Sequence, residues 1–176
     1  MLKIAAMHEY GEIFPQNKEI AKELYLRCDA YEVDACTYNY AMLVRDSNPL
    51  EAIKYFNKIT IKSPLFGVSK LKSAMLLLDK TKPNQLDTAV VIESLRLAVI
   101  PGRNDEAALL LSNLFYDGSI VPINFKESFR WLCAHQVLSL NFTNEEILAM
   151  KSHLEISIGA EAAQKIKDEV DMLLKL

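Results

Sequence analysis

The chain has 176 residues, a formal net charge of −3 and a pI near 5.7. Apolar residues make up 51% and charged residues 24%, with 5 Gly and 6 Pro, the composition of an ordered globular chain rather than a linker or tail. The mildly acidic, mixed surface lacks the basic footprint that phosphate-backbone binding needs, so nucleic acid is not an expected partner.

Apolar stretches such as AALLLSNLF (107–115) fall far short of the roughly 20 residues that span a bilayer, so no membrane association is expected. Near the N-terminus the apolar block Ile4–Met7 is interrupted by His8 and Glu9, too short for a secretory core of about 7–15 residues. Cys28, Cys36 and Cys133 form an odd set without a CxxC. Small buried thiols in a reducing cytoplasm are the expectation, with a Cys28–Cys36 bridge or a reactive thiol as alternatives.

Helical spacing predicts segments near 2–10, 17–30, 33–45, 49–60, 66–80, 86–99, 104–117, 124–137, 143–157 and 160–175. Asn48-Pro49-Leu50-Glu51 supplies a capping side chain, a proline where no N–H is needed, and a negative charge at the positive helix pole. Asn124-Phe125-Lys126-Glu127 repeats the cap-to-glutamate spacing, and Thr143-Asn144-Glu145-Glu146 reads as a capping box. Ser63-Pro64 and Asn84 or Asp87 are weaker starts. Stops fall at Gly11, 79–83, Pro101-Gly102, Gly118 and Gly159. The β-branched clusters ITI and AVVI lie inside or beside helical spacing, so the expected class is all-α.

The helices pair, and the pairs recur. EIAKELYLRC (19–28), LEAIKYFNKI (50–59), VVIESLRLAV (90–99) and KESFRWLCAH (126–135) share a register. In each, a small or apolar residue precedes a large one by three positions: Ala21 and Leu24, Ala52 and Tyr55, Ile92 and Leu95, Ser128 and Trp131. The first helices, IAAMHEYG (4–11), TYNYAML (37–43), LKSAMLLL (71–78) and LLLSNLFYDG (109–118), centre on small residues that allow close approach. Offsets of 31, 40 and 36 residues mark an α-solenoid of helix pairs, with a compact irregular bundle as the rival. The expected architecture is a right-handed α-α superhelix of about four to five antiparallel pairs, one helical-repeat domain over 1–176. A C-terminal helix carries Ala163, Ile166, Val170, Leu173 and Leu174 on one face as its cap.

Ala107, Leu111-Ser112, Leu114, Tyr116 and Gly118, followed by Val121, Lys126, Ser128, Trp131 and Ala134, resemble one unit of the Sel-one-like repeat, a relative of the tetratricopeptide repeats. The match is fair over 104–137, weak over 1–62 and poor over 63–101. Ser112 stands where the pattern has glycine, Gly118 replaces a double-glycine loop, and Asn124 replaces an aspartate. The resemblance implies stacked helix hairpins with a concave face that holds other proteins, and it implies no activity.

The residues carry no catalytic constellation. His8, His135 and His153 are scattered, and Cys133 and His135 lie about 200° apart around a helix, so neither metal nor cofactor is expected. No GxSxG or phosphate-cradling loop is present. Carboxylate pairs such as Glu145-Glu146 belong to caps and solvated faces. The tyrosines cluster early, at 25, 31, 38, 40 and 55, either as inter-helix packing with hydroxyls at the rim or as an aromatic partner surface. With the small residues turned to their partner helices, the flanking stripe points toward the concave side. It comprises Tyr38, Met42 and Arg45 in the second pair, Leu71 and Met75 in the third, Leu109, Asn113 and Tyr116 in the fourth, and His8 near the N-terminus.

The expected function is therefore non-catalytic binding of a protein partner in a helical-repeat groove, by a cytoplasmic monomer or homodimer. The alternatives are an immunity or antitoxin-type inhibitor of a toxic bacterial enzyme or effector, and a self-assembling or chaperone-like protein.

Overall fold

The computed structural model describes residues 1–79, 85–139 and 144–175. These hold α1 (Leu2–Tyr10), α2 (Lys18–Asp29), α3 (Asp34–Val44), α4 (Pro49–Lys58), α5 (Phe66–Leu78), α6 (Gln85–Val99), α7 (Asp105–Asp117), α8 (Phe125–Leu138), α9 (Glu145–Ile158) and α10 (Ala160–Lys175), with no strand among the described residues. Asparagine sets many of the starts. The side chains of Asn17, Asn48, Asn104, Asn124 and Asn144 each accept a backbone N–H from the first turn of the helix they precede, worth about 1 kcal/mol apiece. The cap of α9 is thus Asn144; Thr143 and the proposed start at Asn84 lie outside the described residues, and Asp87 is inside α6.

Two hairpins are built alike. In the first, Gly11 ends α1 at φ 76°, and the Asn17 N–H donates to the His8 carbonyl at 2.8 Å. In the fourth, Gly118 ends α7 at φ 69°, and the Asn124 N–H donates to the Phe115 carbonyl at 2.9 Å. Both loops read Gly-x-Ile-x-Pro-x-Asn. A side chain at Gly118 would be strained by the left-handed backbone and would strike Ile123.

Successive helices pack as pairs, α1 on α2 through α7 on α8, and each pair packs on the next through α2–α3, α4–α5, α6–α7 and α8–α9. The last helix, α10, packs chiefly on α8, burying Ala163, Ile166, Val170 and Leu174. Leu173, expected on the same face, is 43% exposed. At the small-residue positions Ala5, Ala41, Ala74 and Ser112 in the first helices, and Ala21, Ala52 and Ser128 in the second, exposure is zero. In the third pair the register is one residue earlier than expected: Val91 is fully buried and Ile92 only partly. The large, fully buried partners are Tyr25, Phe56, Leu95 and Leu132. Leu95 is the residue expected, Trp131 is buried beside Leu132 at 6% exposure, and the first two pairs shift by one residue. Leu24 and Tyr55 are half-buried. Positions i+3 and i+4 flank the face of i, about 60° to one side and about 40° to the other, and the more deeply buried side here is that of i+4.

The repeat's expected glycine is answered by chemistry in the fourth pair. Ser112 Oγ donates to the Ser128 carbonyl at 2.8 Å and lies 3.2 Å from Ser128 Oγ, so both hydroxyls are accommodated inside the crossing. Another close approach was not expected: Gly67 at the start of α5 meets Gly102 of the α6–α7 turn, backbone against backbone, with no room for a Cβ on either.

Most buried apolar residues fall into two clusters. One, from α1–α4, holds Ala5, Ala21, Tyr25, Cys28, Cys36, Tyr40, Ala41, Val44, Ala52 and Phe56. The other runs from Leu71 of α5 to Leu174 of α10 and centres on Leu95, Leu111, Phe129 and Leu132. The cysteine expectation needs correction here. Cys28 and Cys36 are disulfide-bonded, with Cα atoms 5.8 Å apart, because the α2–α3 corner brings them within the bridging range of about 4.4–6.8 Å. Cys133 is a free, buried thiol, its pKa pushed up to about 11 by burial.

Candidate partner-binding groove

Among the described residues no group of three or more His, Cys, Asp or Glu is placed to hold a metal ion, and no helix is long and apolar enough to cross a membrane. The features offered to another molecule are grooves between neighbouring pairs. Where the α3–α4 hairpin meets α5, a cavity of about 500 Å³ is lined by Arg45, Asp46, Pro49, Leu50, Ile53, Leu76 and Asp79. Its floor is made by Ile53 and Leu76, each packed against a buried cluster, and Leu50 stands on it 68% exposed. The rim is charged: Arg45 Nε lies 3.4 Å from Asp46, and Asp79 brings a second carboxylate.

The local sequence explains this arrangement. Asn48 and Pro49 start α4 immediately after the α3–α4 turn, and Asn48 both accepts from the Glu51 N–H and donates to the Glu51 carboxylate. That tight start forces Pro49 and Leu50 outward at the groove mouth. Along α3, Tyr38, Met42 and Arg45 follow one another at helical spacing and form a half-buried stripe. Tyr38 sets its ring edge-on to Phe56, and Arg45 Nη1 sits 3.5 Å from Met42 Sδ. Burial raises the Tyr38 phenol pKa while the Arg45 charge opposes the rise. Arg45 joins this stripe to the groove.

The remaining expected site residues are not gathered with it. Leu71 is fully buried and belongs to the larger core, which removes it from any partner surface. The helix that carries it is covered on several sides, with Phe66, Gly67, Ser69, Ser73, Ala74 and Leu77 also buried, so it has no spare face at that position. Met75, one turn on, is 37% exposed. Leu109 packs against the core and Asn113 is exposed. Tyr116 bonds His153 Nδ1 at 3.1 Å and, with Phe125, makes an aromatic cluster across α7, α8 and α9. His8 stacks on Phe14 at 4.7 Å. Among the described residues no hydrogen bond or ring contact joins the α1, α3, α5 and α7 members to one another.

A larger cavity of about 650 Å³ lies between α6 and the α7–α8 loop, lined by Ile92, Glu93, Arg96, Phe115, Val121 and Pro122 among others. Arg96 on its wall is 3.9 Å from Glu127, which also pairs with Arg130 at 3.3 Å.

No family model matches the sequence, and no curated protein matches it. Among solved structures, the crystal structure of a Sel1 repeat protein from Oxalobacter formigenes is similar over 97% of this chain and 71% of that chain. Its TM-score is 0.63 and its sequence identity 13%. The chain has the Sel1-like repeat fold. At so low an identity the Sel1-like likeness is one of helix packing, and it says nothing of which residues touch a partner. Sequence reasoning missed Asp46, Pro49, Leu50, Ile53, Leu76 and Asp79 as groove residues, although the Asn48-Pro49 start was a signal. A cap that begins a helix beside a turn leaves its first apolar residue outside the helix pair.

Proposed function

We propose that this chain is a non-catalytic protein-binding module whose partner sits in the groove between α3–α4 and α5. The observation that carries this reading is an apolar floor of Ile53 and Leu76 with Leu50 standing on it, edged by Arg45, Asp46 and Asp79 in a cavity of about 500 Å³. Apolar centres with polar rims are the anatomy of protein interfaces, and a groove held by packed helices costs little ordering on binding. The Sel1-like fold supports the same reading, because proteins of that fold hold protein partners. The expectation of a cytoplasmic working place rests partly on free thiols, and the Cys28–Cys36 bond removes that part of its ground.

The test is capture of the tagged chain's partner from host lysate, compared with Leu50→Asp. Leu50 is 68% exposed, so the substitution leaves the fold intact, checked by circular dichroism. A stoichiometric protein retained by the parent and lost by Leu50→Asp is the expected result. Equal retention by both chains sinks the groove. Self-association as the sole result points instead to the exposed Ile156 and Met172 of the last two helices, 83% and 63% accessible.

A further inference from the structure

We infer that the Cys28–Cys36 bond is a redox switch that sets the order of the α1–α4 half and, on the reading that the α3–α4 groove binds a partner, controls that binding. Three features converge on this bond. It lies in the smaller of the two buried clusters, where its two half-cystines are among only ten buried side chains. It closes the corner between the first and second helix pairs, joining the last turn of α2 to the first turn of α3. That corner also holds Glu32 at φ 57°, a left-handed conformation unfavourable for a residue with a Cβ.

Once the bond opens, the corner keeps the packing of α2 on α3 and a few polar contacts centred on Asp29, none of them covalent. Lys58 pairs with Asp29 at 2.9 Å, Thr37 Oγ1 donates to Asp29, and the Glu32 N–H donates to the Asp29 carbonyl at 2.8 Å. The Lys58 end of the ion pair is 45% exposed, so that pair contributes little, and none of these contacts limits the unfolded chain as the covalent link does. Beyond Cys36, α3 carries the stripe residues Tyr38 and Met42, and its C-cap residue Arg45 stands on the groove rim. The larger cluster, from α5 to α10, contains no half-cystine.

The chemistry needs a dithiol reductant. Its thiolate attacks Sγ of Cys28, the less buried of the two residues at 5% exposure against none for Cys36. The S–S bond breaks, and Cys36 leaves as a thiolate that takes a proton. The reductant's second thiol then attacks its own sulfur in the mixed disulfide and releases Cys28 as the second thiol. Two electrons and two protons pass from dithiol to cystine, and the reductant ends as a disulfide. Because both sulfurs are buried, attack requires local opening of the corner.

Hydrogen exchange read by mass spectrometry on the full chain, oxidised and then reduced with dithiothreitol, tests the switch without any partner. Release of the eight-residue closure is expected to lower protection of α2–α4 amides on the order of fifty-fold. The α7–α8 amides should change less than about threefold, and re-oxidation should restore both. Unchanged α2–α4 protection overturns the proposal, as does equal loss in α7–α8, which would make the bond a staple for the whole chain. Cys28→Ser with Cys36→Ser should match the reduced pattern without reductant. Capture in both redox states then separates the two readings. A partner held by the oxidised chain and released by the reduced one supports control of binding, and equal retention overturns it. Local loosening with no partner in either state sinks the groove reading and leaves the switch standing.

Discussion

The α1–α4 half and the α5–α10 half solve the same packing problem with different materials. The first buries few residues, several of them aromatic or polar-tipped. Tyr25 donates to Glu9 at 2.7 Å and Tyr40 donates to Glu51 at 2.8 Å, each tying one helix of a pair to the other, and a disulfide joins the pairs. The second half is aliphatic and larger, with Leu71, Leu95, Leu111, Phe129, Leu132 and Leu154 inside it and a terminal helix laid over the last pair. Small cores gain less from removing apolar surface, so directional bonds and a covalent link make up a greater share of their stability. A repeat architecture allows this division, because each pair contacts chiefly its neighbours.

The largest expected effect that probes the comparison is truncation of the central aromatic in each half. Phe56→Ala and Phe129→Ala should each cost about 3–5 kcal/mol. Trp131, the single tryptophan, is buried in the second half, whereas Tyr25 and Tyr40 are buried in the first. Six of the seven tyrosines, all but Tyr116, lie in the first half. Urea unfolding followed by Trp131 fluorescence therefore reports the second half, and tyrosine near-ultraviolet dichroism in a Tyr116→Phe background reports chiefly the first. Phe56→Ala should lower the tyrosine midpoint well below the tryptophan one. Coincident midpoints in that variant would mean that the halves unfold as one unit.

A smaller effect is expected at Gly67, where a methyl group meets the Gly102 backbone, which cannot rotate aside. Gly67→Ala should cost about 2 kcal/mol, registered by the tryptophan midpoint. An unchanged midpoint would show that the α6–α7 turn yields without cost.

The smallest effect, absent at neutral pH and the one most specific to each half, comes from alkaline titration. Burial, then the bond to Glu9 or Glu51, raises the Tyr25 and Tyr40 phenols above their ordinary value of 10.0. A raised folded pKa contributes stability that is complete below the unfolded value and is lost as pH rises through the folded one. For Cys133 that window runs from 9.0 to about 11, in the second half. For the two tyrosines it opens near pH 10 and extends higher, in the first. Exchange measured along an alkaline series should show the α7–α8 loss levelling off while the α1–α4 loss continues. Parallel losses would break the comparison, and Tyr40→Phe should shrink only the α1–α4 loss.

The helices were legible in the sequence to within two residues at each end, since their starts and stops are local. An asparagine that accepts an N–H and a glycine that takes positive φ act within one turn, whatever lies beyond. The register of the third pair was misread because Val91, Ile92 and Leu95 are all aliphatic, and composition there does not distinguish the buried face. Arg45 was placed at a groove by helical spacing, but Leu71, placed by the same spacing, lies in the core. The stripe rule assumes one free face per first helix, and α5 is covered by its own partner, by α4 and by the turn holding Gly102.

By itself, then, the sequence determined an all-α chain of capped helix pairs with small residues at their crossings, through interactions that span one helical turn. Only the tertiary structure decided which cysteines meet, how the core divides in two, that Gly67 and Gly102 touch, and where an apolar groove remains open. Those outcomes depend on contacts between residues far apart in the chain, set by how each pair leans on the next.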